Sequence, residues 1–284
     1  MKPAVLVTTD LSPDAASALP FARRVADGLG LPTEVLHIVH APVLAPALTQ
    51  SPELDARDAE TALRKTIDAT DPDSPVRIEV RIATDVVAAI LDRAKEIEAP
   101  FLVVAASGKT GWQRLRLGST VHALLRHLAL PLVCVPANRS AEKSTTDTDA
   151  DAERTSGNGV LVTCDLSPLS RRALAPGAAR ARALGGPLTL VAVTSGPASE
   201  AEAWGRALRG LATDLTATGV DARAEVIQAD DVTKAIVDRA AAPDIAMLCM
   251  ASHGHGGLKR MLLGSVVEAV LPRVRVPLAV IPAA

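Results

Sequence analysis

The chain has 284 residues, enough for about two domains at roughly 150 residues each, and 48% hydrophobic with 22% charged residues supplies real cores. Thirty Lys and Arg against 32 Asp and Glu leave a net charge of −2 with no basic block, which argues against a nucleic acid or a membrane surface as partner. Two Phe, two Trp and no Tyr exclude the aromatic platforms on which single-stranded bases or methylammonium groups stack.

The first element is the apolar run Ala4–Thr9, of the kind buried on both faces of a parallel sheet. Ser12-Pro13 then opens a helix that runs to Gly30, and Pro20 predicts a kink within it because proline removes one backbone donor. Strand two covers Thr33–Val39, and Ser51-Pro52 starts a helix to Ala69. Val76–Ile82 alternates as a strand, Asp85–Glu98 reads as a helix and Phe101–Ala105 as a buried strand. After a glycine loop come a helix over 119–129 and the strand Leu132–Val135, set between Pro131 and Pro136. Cys134, Cys164 and Cys249 lack C-x-x-C spacing and read as small buried hydrophobes of a reducing compartment. The apolar run behind Met1 is too short for a signal peptide, and no run approaches the ~18 residues of a membrane span, so a cytoplasmic protein is expected.

This order is written twice. Val5–Pro13 recurs at 160–168 with eight of nine residues identical, and Gly108–Pro136 recurs at 254–282 with 12 of 29 identical. Between the copies, 138–158 is polar, without large apolar residues, and reads as a flexible linker between domains at 1–137 and 159–284. Regular β-α alternation gives an α/β fold: two tandem doubly wound, five-stranded parallel sheets. Such sheets bind ligands beyond the carboxyl ends of their strands. Two places qualify in each copy, the turn after strand one and the loop after strand four.

The strand-four loops share a pattern. A small residue (Ala105, Ala251) is followed by two residues and glycine (Gly108, Gly254), then by nine residues and Gly-Ser (Gly118-Ser119, Gly264-Ser265). Small residues let backbone N–H groups approach a bulky anion, and a Gly-Ser helix opening offers free N–H groups, a hydroxyl and the positive end of the dipole. That combination suits a phosphate, although glycines at these positions also serve plain turns.

The motifs D-x-S-P after strand one, the (A/S)-x-G loop, G-L-K-R-M-L-L-G-S-V and the closing V-P-L-A-V-I resemble tandem universal stress proteins across both domains. The resemblance implies a Rossmann-like fold of the adenine nucleotide α-hydrolase type and ATP as ligand, with a divalent cation such as Mg2+ or Mn2+. On the family motif G-x-x-G-x(9)-G-(S/T), it implies nucleotide contacts at Ala105, Gly108, Gly118, Ser119 and Thr120, and at Ala251, Gly254, Gly264, Ser265 and Val266. It also places Asp10 and Asp165 beside the adenine, with the backbone of Ile38 and Val193 facing its edge. The sequence departs from the motif at its first glycine, which is Ala105 and Ala251; a methyl there bears on affinity. The second loop is richer in glycine and is followed by Lys259-Arg260, so the second copy is expected to bind more tightly.

Competing motifs fail. Ser107-Gly108-Lys109-Thr110 imitates a P-loop, but Val103 stands where its first glycine belongs. His253 and His255 lack a third metal ligand, and His37 and His40 read as structural. Asp10 could equally cap its turn. No residue set provides a general base for water, so the expected role is regulatory binding of adenine nucleotide without rapid turnover. The alternatives are a nucleotide-free interaction scaffold and a slow ATP-hydrolysing or nucleotide-transfer enzyme. The family resemblance implies that the two copies pair as an intramolecular pseudo-dimer, with the final strands Leu132–Val135 and Leu278–Ile281 as contact edges, which the sequence permits; a further homodimer is left open.

Overall fold

Parallel β-α units account for every element of the computed structural model, which describes residues 3–41, 51–70, 76–106, 118–127, 130–136, 157–253 and 263–283. The first half runs β1 (Val5–Thr9), α1 (Pro13–Ala16), α2 (Ala18–Gly28), β2 (Thr33–His40), α3 (Pro52–Thr70), β3 (Val76–Ala83), α4 (Val86–Glu96), β4 (Leu102–Ala105), α5 (Ser119–His127) and β5 (Leu132–Val135). The second half repeats it: β6 (Gly159–Thr163), α6 (Pro168–Arg171), α7 (Leu174–Leu184), β7 (Leu188–Thr194), α8 (Ala198–Thr216), β8 (Ala222–Gln228), α9 (Val232–Ala240), β9 (Ile245–Ala251), α10 (Ser265–Val270) and β10 (Leu278–Ile281). Most of the proposed linker, 137–156, lies outside the described residues.

The strand order is β3-β2-β1-β4-β5-β10-β9-β6-β7-β8. Within each half all pairings are parallel, and the halves join where β5 and β10 pair antiparallel, with Val133 opposite Ala279. These are the two strands that the family resemblance implied as contact edges. The join makes one ten-stranded sheet whose two faces carry separate cores, and both cores draw on both halves. One face gathers Val5, Val7, Val103, Val133, Val160, Val162, Cys249 and Ala279 under α2, α3, α7 and α8. The other gathers Leu6, Leu102, Val104, Leu132, Cys134, Leu248, Leu278 and Val280 under α4, α5, α9 and α10. Alternate residues of each strand thus face opposite cores, which is why these strands read as continuous apolar runs rather than as alternation.

Pro20 does more than kink its helix. The chain breaks at Ser17, separating α1 from α2, because Pro20 has no N–H for the carbonyl of Ala16 and its ring crowds that carbonyl. Pro176 acts in the same way in the second half, where α6 ends at Arg171 and α7 begins at Leu174. Gly30 and Gly185 then close α2 and α7 in left-handed conformation, at φ 67° and 65°. The halves differ in their last helices. Pro272 stands at the position of Arg126, and α10 ends at Val270 where α5 continues to His127.

Beside the β5–β10 seam, α2 packs against α7 closely enough that a Cβ built on Gly28 would meet the backbone of Ala183. The guanidinium of Arg180 on α7 lies 4.6 Å from the ring centroid of Phe101, a contact between the halves. All three cysteines are buried and free; two lie in β5 and β9 and Cys164 one residue past β6. Burial raises the Cys134 thiol to about 12 and the Cys249 thiol to about 11, which leaves neither as a nucleophile near neutral pH.

Candidate functional site

In each half the chain steps outward from β1 to β2 and β3, then returns to β4 on the other side of β1, and the second half repeats the path. Open sheets of this topology bind ligands in a crevice at the carboxyl ends of the strands where the direction reverses, which here falls between β1 and β4 and between β6 and β9. The turns after β1 and β6 and the residues that follow β4 and β9 lie at those ends. Helix α1 packs against β4, and α6 against β9, so each aspartate turn leads into a helix lying beside the strand-four end.

The turns are built alike. Oδ1 of Asp10 accepts the Ser12 N–H at 3.0 Å, and Oδ1 of Asp165 accepts the Ser167 N–H at 3.0 Å and its Oγ–H at 2.5 Å. Each turn also holds a leucine in the left-handed region, Leu11 at φ 65° and Leu166 at φ 64°. A non-glycine residue there costs roughly 1–2 kcal/mol, so the surrounding bonds must hold it. They continue into the next helix: Ser12 Oγ accepts the Ala15 N–H at 3.2 Å and Ser167 Oγ the Ser170 N–H at 3.1 Å, capping α1 and α6. The aspartates therefore do cap their turns, and the same bonds orient a carboxylate at the crevice mouth.

Ile38 and Val193 lie near the carboxyl ends of β2 and β7, but their surroundings differ. The β1–β2 register runs to Thr9↔His37, next to Ile38. The β6–β7 register stops at Thr163↔Val191, where the last rung is the Cys164 N–H on Val191 O at 2.8 Å. Val193 has the strand parity of Val191, so its backbone groups point to the β6 side, past the point where β6 has turned away. His37 explains the longer first register. Its ring Nδ1 donates to Thr9 O at 2.9 Å, whereas the equivalent residue in the second half is Ala192. His40 likewise donates from Nε2 to Thr84 O at 3.1 Å, so both strand-two histidines bind backbone carbonyls.

Ala105 and Ala251 end β4 and β9, paired with Val135 and Ile281. One residue on, Ala106 and Ser252 donate their N–H groups to Val135 O and Ile281 O, both at 2.7 Å. Gly108 and Gly254 lie outside the described residues. Gly118 and Gly264 stand immediately before α5 and α10, and each carbonyl starts its helix by accepting from His122 at 3.0 Å and Glu268 at 2.9 Å. Ser119 and Ser265 are exposed, with Thr120 and Val266 half-buried behind them. The first N–H groups of each helix have no acceptor within it. Gly264 is at φ −64°, so its value lies in close approach. Its N–H donates to Ser252 O at 2.8 Å, and a Cβ there would lie 2.9 Å from that oxygen and 3.3 Å from His253 Cα.

His253 was weighed in the sequence only as a metal ligand and Ser252 not at all, yet the structure ties them together: Ser252 Oγ lies 3.1 Å from His253 Nδ1. Among the described residues, no group of three or more His, Cys, Asp or Glu is placed to hold a metal ion. No helix among them is long and apolar enough to cross a membrane.

The universal stress protein family model matches residues 1–136 and again 158–282. Among solved structures, a universal stress protein from Archaeoglobus fulgidus is 19% identical over 99% of this chain and 98% of its own, with a TM-score of 0.70. A putative universal stress protein from Pseudomonas aeruginosa is 15% identical over 99% of this chain and 93% of its own, with a TM-score of 0.64. A universal stress protein in complex with cAMP is 23% identical over 44% of this chain and 97% of its own, with a TM-score of 0.37.

Proposed function

The chain belongs to the universal stress protein family, in two tandem copies, and on that premise we propose that it binds adenine nucleotide, ATP with Mg2+ or Mn2+, in the crevice of each half and acts through the bound state. The observation that carries this reading is the repeated Asp-Leu-Ser turn, strained at leucine and locked by its aspartate, set at the strand-order reversal opposite a Gly-Ser helix opening. In this reading Asp10 and Asp165 stand by the adenine and ribose, and the backbone of Ile38 and Val193 meets the adenine edge. The small ends Ala105 and Ala251 admit the ribose. Gly118, Ser119 and Thr120, and Gly264, Ser265 and Val266, take the phosphates, together with Gly108 and Gly254. A divalent cation enters on the phosphate oxygens of the nucleotide itself.

Binding rather than turnover fits the residues. The aspartates accept bonds from their own turns, and the buried thiols of Cys134 and Cys249 stay protonated. Nucleotide then acts by stabilising the conformation to which it binds.

Mass spectrometry of gently purified full-length protein tests the reading by detecting co-purified ATP or ADP. A melting curve with millimolar Mg-ATP complements it, since ligand at 100 times its Kd adds about 2.7 kcal/mol. No bound nucleotide and no melting shift would overturn the proposal in favour of a nucleotide-free scaffold. Steady ADP release would replace it with a slow hydrolase.

A further inference from the structure

The ten-stranded sheet ends in β3 on one side and β8 on the other, and among the described residues no strand pairs with the outer side of β3. Its eight residues hold an unbroken register on β2, from Thr33↔Val76 to His40↔Ala83. Proline and bulges, two of the devices that usually blunt an edge, are both missing from it. The Ala41 N–H donates to Ala83 O at 3.0 Å, so Ala83 and every second residue before it turn their backbone groups toward β2. Ile78, Val80 and Ile82 therefore turn theirs outward, and all three are β-branched residues suited to strand pairing. Of the three large hydrophobics exposed among the described residues, Ile82 lies in this strand at 42% and Leu54 in α3, the helix packed on it. The opposite edge offers less. By the same reasoning from the Ala229 N–H on Thr194 O, β8 turns Ala222, Ala224 and Gln228 outward beside Val226.

We propose that a second copy of this chain docks on this edge, β3 pairing antiparallel with its counterpart about a two-fold axis at Val80. In that register Val80 faces its own counterpart and Ile78 faces the partner subunit's Ile82. All of these carry outward backbone groups and exchange both N–H···O bonds. Between them fall the closely spaced, non-hydrogen-bonded pairs, which set Glu79 against the partner subunit's Arg81 and, by symmetry, Arg81 against the partner subunit's Glu79. Moving the axis by one residue, to Glu79 or to Arg81, sets like charges opposite each other, which is unfavourable. Within one chain Arg81 Nε lies 2.9 Å from Glu79 Oε1, with the two side chains still 26% and 31% exposed, so pairing adds to an ion pair already formed. A contact of this kind uses the same patch on both protomers and closes as a dimer. It continues the sheet from one protomer into its partner at the edge away from the β5–β10 seam, and it is independent of the nucleotide reading.

Light scattering on the full-length chain across a concentration series tests the proposal: the mass is expected to rise from one chain to two and stop there. Hydrogen exchange locates the contact. On dilution the amides of Ile78, Val80 and Ile82 should lose protection, while those of Glu79 and Arg81, turned toward β2, keep it. Val80→Pro removes an outward N–H that the chain's own ladder does not use, a position at which an edge strand accepts proline, and should leave a folded monomer by circular dichroism. Ile82→Lys places a charge against the partner subunit's Ile78, twice by symmetry, and should weaken the dimer roughly tenfold; Ile82 is exposed, so this variant decides the matter if Val80→Pro does not fold. A chain that stays monomeric at the highest concentration, a dimer unchanged by Ile82→Lys, or protection gained only at the outward amides of β8 overturns the proposal. So does a mass that grows without limit, the sign of β3 joining the β8 edge of the next copy.

Discussion

Gly28→Ala separates the two forces that act on one residue of α2. Helix propensity alone favours the change, since alanine is up to about 1 kcal/mol better than glycine in a helix. Packing opposes it. A Cβ at Gly28 would fall 2.6 Å from Ala183 C and Cα and closer still to Ala183 O. Those are backbone atoms of α7 and cannot rotate away, so α2 and α7 would have to part by roughly 1 Å to regain ordinary contact. Overpacking of this kind costs about 1–3 kcal/mol, and here it is applied between halves that share both cores and the β5–β10 seam. For a cooperative unit of this size it should lower Tm by about 2–5 °C. Urea and thermal unfolding of the full chain measure it, with Gly210→Ala as control. Gly210 lies exposed in α8 with no atom within 4 Å among the described residues, and its replacement should leave stability equal or slightly higher. A Gly28→Ala protein that melts at or above the parent would show that α2 and α7 do not meet as described.

Glu34 is 1% exposed and holds Arg93 through Oε1–Nε at 2.6 Å and Oε2–Nη2 at 3.0 Å. Glu34→Ala should cost about 3 kcal/mol by stranding a buried guanidinium; a change in the urea midpoint worth under 1 kcal/mol would mean that Glu96, 3.0 Å from Nη1, suffices alone. The hydrogen bonds of Arg81, and after them those of Arg93, draw the Glu96 carboxyl from 4.5 down to about 2. Its contribution is thus complete above pH 4.5 and fades as pH falls toward 2, so Glu96→Gln should flatten the stability profile across that interval alone. Leu11→Asn should be neutral or mildly stabilising, because asparagine tolerates the left-handed conformation and Leu11 is 42% exposed. Leu166→Asn should destabilise, since Leu166 packs against the interior cluster; equal melting shifts for the two would remove the distinction.

The strands were legible because burial on both faces writes them as short apolar runs, VLVT and LVCV among them, and because the duplication states the pattern twice; their pairing across the halves was implied only by the family resemblance. The D-x-S-P turn was legible as a cap, but the left-handed leucine within it was not: leucine has no propensity for that conformation, and only the bonds around it impose one. Pro20 was read as a kink and acts as a break, since proline perturbs the preceding turn, and Ser17 is where that turn gives way. Gly28, Arg180 and Phe101 gave no signal at all. Their contacts join residues of different halves, and no local pattern encodes such a distance. The pairing of Ser252 with His253 was hidden for another reason: adjacent residues on a strand normally face opposite ways, and only beyond the end of β9 can the two side chains meet.

Duplication makes each half the reference for the other, and the comparison localises where their structures have diverged. The turn that would hold the base has the same frame in both, an aspartate accepting from the serine two residues on and a leucine φ one degree apart. What differs lies on either side of it. In the first half His37 grips Thr9 O and carries the ladder up to Ile38; in the second, Ala192 leaves the ladder short and the backbone of Val193 beyond its end. On the opposite wall Ser252 and His253 replace Ala106 and Ser107. Both changes add hydrogen-bonding capacity to the second crevice, one at the strand-two edge and one beside the helix start. Neither involves the glycines: what distinguishes the halves among the described residues is which backbone and ring N–H groups each has already committed to its own structure.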